Sequence, residues 1–192
     1  MFEELKIIRY PDPRLKKTSA PVERIDSQLK DLAARMFELM REAKGVGLAA
    51  PQIGKNIRLF VMNPTGEPTD NRVYINPVLS DPDGDEPSEE GCLSLPQINV
   101  QINRNKSMRL QAIDLDGNKI DQVETGYVAR IWQHEYDHLN GVLIIDRMGL
   151  ADKMKYRKTL REMEEKWDTE HPKRKADDKD DHKDKKKPKR PK

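Results

Sequence analysis

The chain has 192 residues, 35% hydrophobic and 36% charged, with a formal net charge of +2. That length suits one domain, and about 170 residues bury a core without disulfide support; the single cysteine, Cys92, excludes an intramolecular disulfide. No apolar run approaches the roughly 18 residues that span a bilayer, and the first four residues, Met-Phe-Glu-Glu, carry no leader signal, so a bacterial cytoplasmic protein with no membrane or DNA partner is expected.

Residues 6–25 hold Pro11, Pro13 and Pro21 and predict an extended, turn-rich lead-in. Asp26 is placed to cap a helix in which Leu29, Leu32, Ala33, Met36, Phe37 and Met40 recur at helical spacing, and Gly45 is its natural stop. The small, apolar residues 45–52 read as a loop. Residues 57–62 predict a strand, and residues 72–75 a second one ended by Asn76-Pro77. The acidic, turn-rich stretch 80–90 reads as a surface loop.

Residues 91–124 read as antiparallel sheet. Met108, Leu110 and Ala112 alternate with Arg109, Gln111 and Ile113, and Asp116-Gly117 suits a hairpin turn from which residues 119–123 return. Thr125 is placed to cap a helix containing Val128, Ile131, Trp132, Glu135, His138 and Leu139, closed by Asn140-Gly141. Residues 142–145 predict a short apolar strand. A last helix over residues 151–168 puts Tyr156, Leu160, Met163 and Trp167 on one face. The sum is an α+β fold: mostly antiparallel strands packed around one central helix, with an N-terminal and a C-terminal helix.

Charge divides the chain into a domain over residues 1–170 and a tail over residues 171–192. The tail holds eleven Lys/Arg against five Asp, a surplus of +6 that leaves the body acidic. It has no aliphatic residue larger than Ala176 and no aromatic, so it is expected to be disordered. It reads either as a solubilising extension or as a segment attracted to ribosomal RNA.

The chemistry concentrates in His134-Glu135-Tyr136-Asp137-His138, which fits H-E-x-x-H. On a helix, residues i and i+4 share a face, so both imidazoles reach one metal, and Glu135 reaches the metal's water without being a ligand. The bland alternative is a pair of solvated histidines, but Val128, Ile131 and Leu139 make that side apolar, where unliganded imidazoles are costly to bury. A catalytic site wants a third protein ligand and an open position, and Cys92, in Glu90-Gly91-Cys92-Leu93-Ser94, is the candidate; a lone cysteine is more often plain core. A third segment, Gly45-x-Gly47-x-Ala-Ala-x-Gln52, permits close backbone approach and offers an amide donor.

In this order, the three segments resemble the signature motifs of the peptide deformylases, without a gap, and the likeness extends over about residues 1–168. The resemblance implies a metal-dependent hydrolase that removes formyl from the N-terminal formyl-methionine of newly made polypeptides. It implies Cys92, His134 and His138 as metal ligands, Glu135 as general acid and base, and Gln52 with the Leu93 N–H as donors to the developing oxyanion. Gly45 belongs to the small-residue approach to the metal, and Gly47 and Gly91 match positions whose backbone touches the substrate. Fe(II) is the implied metal, with Zn(II), Ni(II) or Co(II) as substitutes; a mixed thiolate and imidazole set suits all four. Val46 and Ile131 are candidates for the methionine pocket.

Asn99 stands near where some relatives carry a basic residue that holds the substrate backbone. Arg104 is expected to pair with Glu90 and steady the Cys92 segment. Two rival readings remain at this stage. A zincin-type protease would need a third His or Glu ligand downstream, where the chain offers Asp146 and Glu162 as carboxylates but no histidine before His171. An inactive binding scaffold would have no use for Glu135.

Overall fold

Helix α1 (Ser27–Glu42) begins where the Asp26 carboxylate accepts the Leu29 N–H at 3.0 Å, and it buries the predicted apolar face. In the computed structural model, which describes residues 2–172, five strands follow in one antiparallel sheet: β1 (Gly47–Ala49), β2 (Leu59–Met62), β3 (Arg72–Cys92), β4 (Leu95–Ile113) and β5 (Lys119–Thr125), in that spatial order. Helix α2 (Gly126–Leu139) packs on the sheet, a short α3 (Ile144–Arg147) follows, and α4 (Leu150–Glu170) closes the described chain. The expectation of a disordered tail falls on residues 173–192, outside the described ones.

The core has three parts, and together they position α2. One side of α1 packs on Leu48, Leu59, Val61 and Ile75. The Trp132 indole of α2 stands edge-on to Tyr74, centroids 5.9 Å apart, and Tyr74 packs on Phe60 at 4.9 Å. Leu95, Ile98, Val100 and Ile102 of β4 pack on Leu15, Leu143, Ile144 and Tyr156. Burying an aromatic of this size contributes a few kcal/mol, so Trp132 anchors α2 on the sheet.

The structure corrects five sequence expectations. The second strand does not end at Asn76-Pro77. Register slips between Ile75 and Val78, where Asn76 takes a left-handed φ of +51° and its amide bonds both the N–H and the C=O of Val22. A bulge tolerates the missing proline N–H, and the strand resumes. Residues 80–90 are consequently not a loop but the middle of β3, with Asp83 paired to Ser107 and Glu86 to Arg104. Most of that ribbon's residues are exposed, so little apolar alternation advertises it.

Residues 45–52 contain β1 and a 3-10 turn rather than only loop. Residues 142–145 are not a strand: the Asp146 carboxylate accepts the Leu143 N–H at 2.7 Å and turns the chain into α3. Thr125 occupies the position before α2 but its side chain makes no capping bond.

Candidate metal centre

Helix periodicity puts His134 and His138 on one face of α2, ring centroids 5.1 Å apart. The end of β3 delivers Cys92 to the same point, its Sγ 3.3 Å from His138 Nε2. One ligand atom from each of the three lies within 4.8 Å of the others. A thiol and two imidazoles gathered this closely fit one divalent ion with room for a further ligand. His134 Nδ1 lies 3.0 Å from Glu90 Oε2, which leaves Nε2 for the centre. Burial alone would lower His134, yet its Cys92 and Glu90 acceptors hold it well above the usual imidazole range; burial, with charged His134 nearby, holds His138 well below.

Glu135 is 3% exposed, and its Oε2 has no hydrogen-bond partner among the described residues. Burial pushes its carboxyl up to about 7. It stands against Gly47: a Cβ added there would lie 2.3 Å from Glu135 Oε1. Gly91 has a comparable reason, since a Cβ on it would meet Asn99 Oδ1 at 2.7 Å. Both glycines thus make room for neighbouring side chains, a role the motif alone does not reveal. Gln52 is fixed at both ends of its amide. Its Oε1 accepts the Ala49 N–H at 2.8 Å; its Nε2 donates to Ser94 Oγ at 3.3 Å and lies 3.5 Å from Cys92 Sγ.

Beneath the centre runs a buried ionic network. Arg104 grips Glu90 through Nε and Nη2 at 2.7 and 2.9 Å and reaches Asp137 with Nη1 at 2.7 Å. Asp137 is also bridged by Arg147, and Glu90 accepts from Arg130 at 2.8 Å. Burial opposes ionisation of Glu90, but Arg104 and His134 hold it well below the usual carboxylate range. The expected Arg104–Glu90 pair is therefore present, two residues before Cys92.

One cavity of about 400 Å³ opens onto the centre. Gly45, Val46, Gly47, Gln52, Gly91, Cys92, Leu93, Ile131, His134 and Glu135 all line it, so the structure gathers the predicted site residues except His138, which sits behind the wall at 1% exposed. Lys44, Glu89, Tyr127 and Arg130 line it as well and were not anticipated. For Arg130 there was a signal: an arginine one turn before His134, on a helix otherwise apolar there.

Known proteins resemble this chain in sequence and in fold. The sequence profile of the family described as polypeptide deformylase matches residues 4–154. A peptide deformylase of Rhodopirellula baltica is 46% identical over 147 residues, covering 76% of this chain and 73% of that protein. The crystal structure of peptide deformylase from Plasmodium falciparum superposes with a TM-score of 0.83 at 37% identity, covering 86% of this chain and 99% of that one. The Thermotoga maritima peptide deformylase structure gives 0.72 at 43% identity, covering 76% and 97%.

Proposed function

The chain belongs to the polypeptide deformylase family and is a metal-dependent hydrolase that removes the formyl group from formyl-methionine at the start of newly made polypeptides; from that premise we propose that Cys92, His134 and His138 hold its divalent ion and that Glu135 moves the protons of the reaction. The observation that carries this reading is the convergence of one sulfur and two ring nitrogens within 4.8 Å, beside a cavity lined by Cys92, His134 and the buried Glu135.

A divalent ion held by Cys92, His134 and His138 would supply Lewis acidity and lower the pKa of water at the centre toward about 7. Glu135 then takes a proton from the attacking water and delivers it to the leaving amine nitrogen of methionine, so that formate and a free amino terminus result. As water adds, the formyl oxygen gains charge. Gln52 Nε2 and the Leu93 N–H donate to it, each worth roughly 2.7–4 kcal/mol in the transition state. Gln52 suits the task because the Ala49 N–H holds its amide oxygen and so aims its NH₂ toward Cys92. Val46 and Ile131 supply an apolar wall for the methionine side chain, while the backbone at Gly45, Gly47 and Gly91 admits a narrow substrate. Fe(II) is the resident ion in this reading, with Zn(II), Ni(II) or Co(II) able to substitute, because thiolate and imidazole donors accept all four.

Formate release from formyl-Met-Ala-Ser is the test. The Fe(II) protein, kept anaerobic, is expected to release formate; a chelator abolishes release, and Fe(II) or Ni(II) restores it. Cleavage of unformylated peptides, or no release at any loading, overturns the reading, and elemental analysis of freshly purified protein checks the choice of iron. We further propose that the enzyme works in a bacterial cytoplasm and that residues 171–192, with their surplus of +6, draw it to ribosomal RNA. Ribosome co-sedimentation should then fall for a chain ending at His171, and fall with salt for the full chain; equal binding by the two removes the idea.

A further inference from the structure

Arg130 lies one helical turn before His134 on α2, and its guanidinium is buried. Nη1 donates to Glu90 Oε1 at 2.8 Å and to the Ile102 carbonyl at 3.2 Å, and Nη2 donates to the Glu86 carbonyl. Two of these acceptors are main-chain oxygens, one from each strand of the β3–β4 ribbon. The third is the carboxylate whose other oxygen meets His134 Nδ1 at 3.0 Å. One side chain of the histidine helix therefore grips the strand that ends in Cys92, at Glu86 and Glu90, six and two residues before that cysteine.

Arg104 is bonded differently: its partners are the carboxylates of Glu90 and Asp137. It supplies charge where Arg130 supplies an anchor to backbone. We propose that Arg130 is a positioning residue that registers the Cys92 strand against the histidine helix and, through Glu90, sets the orientation of the His134 ring. The proposal rests on Cys92, His134 and His138 being the ligand set, and goes beyond it in assigning what brings the two halves of that set into line.

Arg130→Met isolates this role. Glu90 keeps both bonds from Arg104 and its contact with His134, so no buried carboxylate loses all its partners. The ribbon also keeps a second anchor, since Gln133 bonds both the N–H and the C=O of Asn105 at 3.1 and 2.8 Å. The fold is expected to survive while the alignment of thiol and imidazoles loosens.

The experiment compares Co(II)-loaded unmutated protein, Arg130→Met and Arg130→Lys. Arg130→Met should release Co(II) to a chelator about 10–100-fold faster, the range seen when groups that orient metal ligands are removed. Its ligand-field and thiolate-to-cobalt bands should shift, and kcat for formyl-Met-Ala-Ser should fall with KM little changed. Arg130→Lys should recover part of each effect, because an ammonium keeps the charge but cannot span the acceptors as a planar fork does. If the thermal midpoint falls while bands and release rate stay those of the unmutated protein, Arg130 is merely structural and the proposal fails. Should Arg130→Met not fold, Arg130→Lys carries the comparison, and an unshifted spectrum there overturns it. Failure of the underlying ligand assignment reads differently: the unmutated Co(II) protein would itself lack a thiolate band.

Discussion

Glu135→Gln is expected to lower kcat for formyl-Met-Ala-Ser by about 10²–10⁴-fold, the usual worth of a positioned proton-transfer group, with metal content unchanged. Glutamine is nearly the same size, so it fits the space that Gly47 leaves beside residue 135. It cannot accept the water's proton. The proposed ligands His134 and His138 keep their helix geometry, since nothing in the α2 backbone changes. Stopped-time formate assays beside elemental analysis measure both halves of this prediction. A variant that keeps its metal and turns over within tenfold of the unmutated protein would mean that some other group moves the proton.

The second large effect concerns stability. Arg104 is 4% exposed and bonds two carboxylates, themselves buried. Removing one partner of a buried ion pair costs about 3–5 kcal/mol, because the charge left behind is desolvated. Here Arg130 remains on Glu90 and Arg147 on Asp137, so Arg104→Ala should lie near the lower end, about 3 kcal/mol. Urea midpoints measure it. Because Glu90 also orients His134, the same variant should lose its ion to a chelator faster, by an expected 10–100-fold. Unchanged midpoint and unchanged retention together would show that Arg104 supports neither the fold nor the Cys92 segment.

What could be read from residues alone follows from where each signal resides. The faces of α1 and α2 were legible because apolar residues recur at helical spacing and pack inward. The hairpin at Asp116-Gly117 was legible because Gly117 takes a φ of +85° that glycine favours. The proposed ligand set was legible because two histidines at i and i+4 and one cysteine are the only such side chains outside the tail. Other features depend on partners distant in sequence. The ribbon over residues 80–90 exists because residues 100–109 pair with it, and its mainly exposed side chains offer no strong pattern. The turn into α3 depends on one Asp146 carboxylate. Asp137 occupies an unspecified position of H-E-x-x-H, yet it receives both Arg104 and Arg147. The glycines illustrate the same gap: that Gly47 must be small was legible, but the neighbour that requires it, Glu135, lies far along the chain.

Cys92 and His138 are 46 positions apart, and they meet only after β3 has paired with β4 and α2 has docked on the sheet. An unfolded chain offers an ion scattered single donors, while the folded chain offers three at once, so ion affinity and folding free energy are linked. Scarcity of the ion therefore acts on this protein twice: it idles the copies already made, and it withdraws the mass-action support that keeps them from opening and reaching proteases.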